Sequence, residues 1–174
     1  MLSLYLPVRL PVYAIIHPFL QIALLRRPPQ ELPCSTLLLG LVLTLHLLLG
    51  LGLYLFKYHF LTACLAAIAG TVILSTLSYS LLYMNGVKQR FVQTLSALAG
   101  TDILIGLISI PIITLGASGP ASLLYLLILA WNLTVATHIL RHALAVTALQ
   151  GFVFALIIFM FTMIAMRAIL PAAL

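Results

Sequence analysis

The chain has 174 residues, is 64% apolar and 6% charged, and has a mean hydropathy of +1.29. Soluble domains carry roughly 25% charged residues, so these few charges exclude a soluble fold of this size and leave a one-domain integral membrane protein. The net charge of +6 sets eight scattered Lys and Arg against only Glu31 and Asp102, and with Arg26-Arg27 as the sole adjacent basic pair there is no cluster or stripe of the kind nucleic acid needs.

Residues 1–34 are apolar but interrupted by Pro7, Arg9, Pro11, His17 and Pro18, and they close on Arg26-Arg27-Pro28-Pro29. A signal peptide is not expected, because Arg9 breaks the apolar region and no small-residue cleavage site follows. The segment reads as an amphipathic interfacial element, with a sixth span over residues 4–25 as the alternative. In the interfacial reading Pro18 suits a first helical position, Phe19 to Leu25 dip into lipid, and Arg26 and Arg27 meet anionic headgroups.

Spans need about 20 mostly apolar residues. They are expected over residues 35–56, 60–84 and 91–115, the second ending at the Asn85-Gly86 turn signal and the third at the loop "GASGP", Gly116 to Pro120. The run from Ala121 to Met166 would be roughly 70 Å long as one helix, about twice the bilayer core, so it must fold back. Its only polar break is "THILRH", Thr137 to His142, which places spans at residues 121–140 and 143–167. The fold expected is therefore an all-α membrane protein. Residues 1–34 form its interfacial segment and residues 35–174 a five-transmembrane-helix bundle.

Arg9, Arg26, Arg27, Lys88, Arg90 and Arg141 then fall on one face, and Lys57 and Arg167 on the other. The basic side faces the cytoplasm, which puts the N-terminus inside and the C-terminus outside. Arg26, Arg27, Lys88, Arg90 and Arg141 are the candidate headgroup or partner contacts.

Lipid gives no hydrophobic drive between helices, so small residues must allow backbones to approach closely. Ala63-xxx-Ala67, Ala66-xxx-Gly70 and Ser96-xxx-Gly100 have that spacing. Ala143, Thr147, Gly151 and Ala155 make a four-member stripe suited to packing within the bundle or to a homo-oligomer face.

Asp102 lies near mid-bilayer, where an ionised acid costs ~2.5–3.5 kcal/mol on insertion scales. Asn132 is at similar depth in the fourth span, so the two can pair as an intramembrane polar pair. That pair would be structural, would contact a partner or lipid, or would belong to a proton or ion relay. His46, in mid-span, is the only other ionisable group to join a relay, and as a lone histidine among apolar neighbours it reads as a neutral hydrogen-bonding residue.

His138 and His142 have the four-residue spacing of helical metal ligands but no third ligand beside them, and with Arg141 they read as a polar interfacial turn. Tyr58 and Tyr83 suit interfacial belts, whereas Trp131 is deeper and should pack against a neighbouring helix. Cys34 and Cys64 stand apart from any ligand pattern. No catalytic set, metal site or cofactor site is legible.

The stretches "GVKQRFVQTLSALAGTDILIGLISIPI" from Gly86, "LAWNLTVATHILRHALAVTALQGFVFALIIFMF" from Leu129 and "HPFLQIALLRRPP" from His17 resemble the bacterial branch of the YIP family of five-span membrane proteins. The shared pattern is a basic turn, a "TLSALAGT" helix start, a tryptophan in the fourth span and a His/Arg turn before the fifth. The resemblance covers about residues 86–165 and implies five spans, a cytoplasmic N-terminus and an external C-terminus. Eukaryotic relatives bind Rab-type GTPases. Their long cytoplasmic N-terminal domain and tyrosine–glycine motifs are missing here, so GTPase binding is not expected.

The function expected is a non-enzymatic protein of the bacterial cytoplasmic (inner) membrane, without cofactor, organising lipids or other membrane proteins. The alternative is a small transporter or ion-conducting subunit using Asp102, Asn132 and His46.

Overall fold

The computed structural model describes residues 11–114 and 120–170. These residues form six helices: α1 Pro11–Ala23, α2 Thr36–Leu55, α3 Phe60–Met84, α4 Phe91–Thr114, α5 Pro120–Leu144 and α6 Ala148–Ile169. All but α1 are long and apolar enough to cross a membrane, so the chain is an all-α, multi-pass membrane protein with five candidate spans among the described residues. Arg9, and Leu115 with the "GASG" of the fourth loop, lie outside the described residues.

The five long helices close into a ring in the order α4, α2, α3, α6, α5 and back to α4, while α1 lies outside it against α4 and α5. Because successive helices alternate in direction, Arg26, Arg27, Lys88, Arg90 and Arg141 gather at one end of the ring, the basic end. Lys57 and Arg167 lie at the other. Outward faces are apolar, as for Leu37, Leu41, Leu45 and Leu48 of α2, all exposed. Lipid solvates such a face as well as another leucine would.

Inside the basic end the packing is dense. Residues Thr94 to Thr101 of α4 are all buried, together with Leu82, Ile139 and Leu140. Small side chains permit this closeness: Ala63, Ala66, Ala97, Ala99 and Ala143 are each fully buried.

The last turn differs from expectation. α5 continues through "THILRH" to Leu144, and α6 starts at Ala148 rather than at residue 143. Ala145 takes the left-handed conformation, φ 56°, and Val146 N donates to Arg141 O at 3.0 Å. This is the Schellman closure that glycine usually provides, made here at alanine and therefore without its usual residue signature.

Thr147 then starts α6 with a capping box, its hydroxyl accepting from Gln150 N while the Gln150 side chain accepts from Thr147 N. Thr-x-x-Gln is a recognised helix-start pattern, but the polar Thr137–His142 stretch outweighs it in a reading by composition. Leu25, φ 60°, closes α1 in the same way, and Gly86 closes α3.

The N-terminal segment also departs from expectation. Pro18 sits inside α1 rather than at its start. Phe19 and Ile22 are buried against the bundle instead of reaching lipid, while Leu20, Leu24 and Leu25 stay exposed. The Phe19 ring lies over Gly100 of α4, where any Cβ would overlap it. The end of α1 and the linker to α2 are tied down by polar contacts: Trp131 Nε1 donates to Ala23 O at 3.0 Å, and Gln93 Nε2 to Leu32 O at 2.8 Å.

The stripe Ala143, Thr147, Gly151 and Ala155 is divided between two helices. Ala143 lies in the last turn of α5, Thr147 caps α6, and Ala143, Gly151 and Ala155 are buried within the chain. Gly151 serves the α5–α6 crossing, where it lies against Thr137 and Arg141.

Candidate functional site

The ring encloses a cavity of about 960 Å³ walled by residues of all five long helices. It extends from Lys57 and Tyr58, at the end opposite the basic one, down to His46, Asp102 and Asn132 at mid-helix. Leu74 and Leu98, both buried, lie a turn further toward the basic end and close it below. Its walls are mainly apolar, with Tyr54, Tyr125 and Phe159 among them.

The structure brings the three mid-membrane polar residues together. Asn132 Nδ2 donates to Asp102 Oδ1 at 2.8 Å, joining α5 to α4. His46 Nε2, from α2, stands 3.8 Å from Asp102 Oδ2. His46 Nδ1 lies 3.2 Å from Thr71 Oγ1 on α3. Thr71 is a member of the site that sequence reasoning misses, because a threonine in an apolar span gives no signal until its helix is placed beside a histidine.

Four helices thus contribute to one polar array, and it is not sealed. The Asp102 side chain is 34% exposed and that of His46 20%, and both line the cavity. Asp102 therefore reaches the cavity as well as crosslinking α4 to α5.

The basic end holds a shallower cleft of about 610 Å³ lined by Gln30, Arg90, Arg141 and His142 among others. Arg90 is engaged within the chain: its Nη1 donates to Ala143 O at 2.9 Å and more weakly to His142 O. Gln30 Nε2 also donates to His142 O. A cation on the last carbonyls of α5 favours that helix end.

Charged hydrogen bonds of this kind contribute about 1.5–3 kcal/mol. Arg90→Ala should therefore lose that much stability in denaturant unfolding of detergent-solubilised protein, and Arg90→Lys should regain part of it. Arg26 and Lys88 are exposed at this end, and Arg27 pairs with Glu31 at 3.5 Å. The Nε of Arg141 is buried without a hydrogen-bond partner.

His138 Nε2 lies 3.1 Å from Arg27 O, and the His138 and His142 rings meet edge to face with centroids 4.6 Å apart. The two histidines share a surface, but among the described residues no three His, Cys, Asp or Glu side chains gather as a metal site would require. Cys34 and Cys64 are free thiols.

Comparison with family models, with curated proteins and with solved structures finds no match for this chain.

Proposed function

We propose that this is a non-enzymatic membrane protein of the YIP type that organises lipids or membrane-protein partners and holds an apolar or amphiphilic ligand in its central cavity. The observation that carries the reading is the cavity itself, about 960 Å³ walled by all five long helices. Ligand pockets commonly span roughly 300–1,000 Å³ and combine apolar walls with a few placed polar groups. Here Asp102, Asn132 and His46 are those groups.

The proposed placement is a bacterial cytoplasmic membrane with the basic end inside. Arg26, Arg27, Lys88, Arg90 and Arg141 at one end against Lys57 and Arg167 at the other support it. In that orientation the N-terminal segment with α1 lies at the cytoplasmic interface, and Arg26, Lys88 and the Arg141 cleft face anionic headgroups. The cavity then faces outward. The YIP assignment rests on the resemblance of residues 86–165 and on the five-span architecture common to both.

Identification of small molecules that co-purify with the protein tests the reading. Gly50 lines the cavity, and a Cβ there would meet only Ala67, at an ordinary 3.7 Å. Gly50→Leu should therefore fill space without disturbing the helix. Wild-type protein is expected to retain a bound amphiphile and Gly50→Leu to lose at least three-quarters of it, with unfolding behaviour unchanged. Equal retention by both would refute the cavity as the site.

Transport is the second reading, supported by a cavity that places Asp102 and His46 at mid-depth and is closed on one side. Flux into liposomes that Asp102→Asn abolishes would decide for it.

A further inference from the structure

The polar floor of the cavity has an unusual hydrogen balance. Thr71 Oγ1 donates its single hydrogen to Ala67 O at 3.0 Å. With that hydrogen on Ala67 O, the tautomer that completes both contacts of Thr71 is the one with hydrogen on His46 Nδ1. In the neutral imidazole the other nitrogen, Nε2, is then a bare acceptor, and it is Nε2 that faces Asp102 Oδ2 at 3.8 Å.

The carboxylate is likewise acceptor-only. Asn132 serves its Oδ1, and Oδ2 stands 3.8 Å from His46 Nε2 in a side chain that lines the cavity. In that tautomer, with Asp102 ionised, two lone-pair atoms face each other with no donor between them. Their separation suits one N–H-bearing nitrogen placed at ordinary hydrogen-bond distance, about 2.8–3.0 Å, from both.

We propose that His46 Nε2 and Asp102 Oδ2 form a two-acceptor seat for the ammonium head of a lipophilic amine, whose apolar body lies along the cavity walls. The inference rests on the cavity reading above and names its ligand class.

Charge favours this class. Asp102 is the only acid in the spans, and an unpaired carboxylate against apolar walls is costly, whereas a cation beside it gains from the low local dielectric.

Other occupants fit less well. Ca2+ and Mg2+ take six or more oxygen ligands and Zn2+ sites at least three protein ligands, and this floor offers one carboxylate and one imidazole. A phospholipid amine brings a phosphate, which Asp102 would repel. Water could bridge both acceptors but would leave the charge of Asp102 uncompensated.

Three amphiphiles of equal chain length separate the contributions: dodecylamine with charge and N–H donors, dodecyltrimethylammonium with charge alone, and dodecanol with neither positive charge nor N–H. Binding is measured at pH 7 on the full chain in phosphatidylcholine nanodiscs, by displacement of labelled dodecylamine corrected for partition into empty discs. Dodecylamine is expected to bind at least tenfold more tightly than dodecanol, with dodecyltrimethylammonium between them. His46→Phe should bring dodecylamine down to the level of dodecyltrimethylammonium, and Asp102→Asn should remove the preference for either cation.

Dodecanol binding as well as dodecylamine to wild-type protein would overturn the ammonium seat and leave the cavity reading standing. Equal binding of the two cations would overturn the two-acceptor geometry. No saturable binding of any of the three would overturn the seat and the cavity reading together. These comparisons use wild-type protein, so they hold even where a variant fails to fold.

Discussion

Gly151→Val should cost about 3 kcal/mol, the upper end of the overpacking range, in denaturant unfolding of the protein in detergent micelles. A Cβ at Gly151 would stand 2.9 Å from Arg141 Cβ, 3.0 Å from Thr137 O and 3.1 Å from Arg141 N. Two of those atoms are α5 backbone, which cannot rotate away as a side-chain tip can. The short turn through Ala145 and Thr147 joins the helices close by, so α6 cannot slide to make room either.

The strain would reach beyond the crossing, because the Ala143 and His142 carbonyls that Arg90 holds lie one turn away. Gly151→Ala should act in the same direction but understate the cost, since alanine gains about 1 kcal/mol of helix propensity over glycine. Unfolding of Gly151→Val at the wild-type midpoint would show that the helices do not cross this closely.

Gly100→Leu should have a large but different effect: it releases α1 and leaves the ring intact. The new side chain would take the space of the Phe19 ring, and that ring is the movable end of a side chain on a helix packed outside the ring. Trp131 is the only tryptophan, and its Nε1 donates to Ala23 O at the end of α1, so its emission reports whether α1 is docked. Gly100→Leu should shift that emission toward the fully undocked value while the main unfolding transition moves by less than about 1 kcal/mol, as expected where strain can relax. Combining it with Phe19→Ala should restore the docked emission, because the smaller side chain vacates the space the leucine needs. A double variant that stays undocked would show that some other contact holds α1.

Much of this architecture is readable along the chain. Span existence follows from hydropathy, because a helix facing lipid must be apolar over a length the bilayer sets. Thr36–Leu55, Phe60–Met84 and Phe91–Thr114 lie within a residue or so of the expected limits. Depth alone makes a pairing of Asp102 with Asn132 possible, and the facing of α4 and α5 brings it about.

The α5–α6 turn escapes a reading by composition because its two devices act against residue statistics. Ala145 takes a conformation that usually signals itself as glycine, and α5 carries His138, Arg141 and His142 without interruption because they contact the α1–α2 linker and one another. Phe19 and Ile22 read as lipid-facing because only Gly100, some 80 positions away in the chain, makes room for the aromatic ring.

The sequence by itself determined the medium, the number of long helices and the end at which positive charge collects, since each depends on local composition summed over one span or one turn. Tertiary structure alone decided that the helices close into a ring around a cavity and that α1 docks on α4. It also decided that His46 stands between Thr71 and Asp102, 3.2 Å from Thr71 Oγ1 and 3.8 Å from Asp102 Oδ2. These depend on which face each helix turns inward, and in a chain apolar on nearly every face the hydrophobic pattern carries almost no such information. Small-residue fit and a few hydrogen bonds between helices supply it.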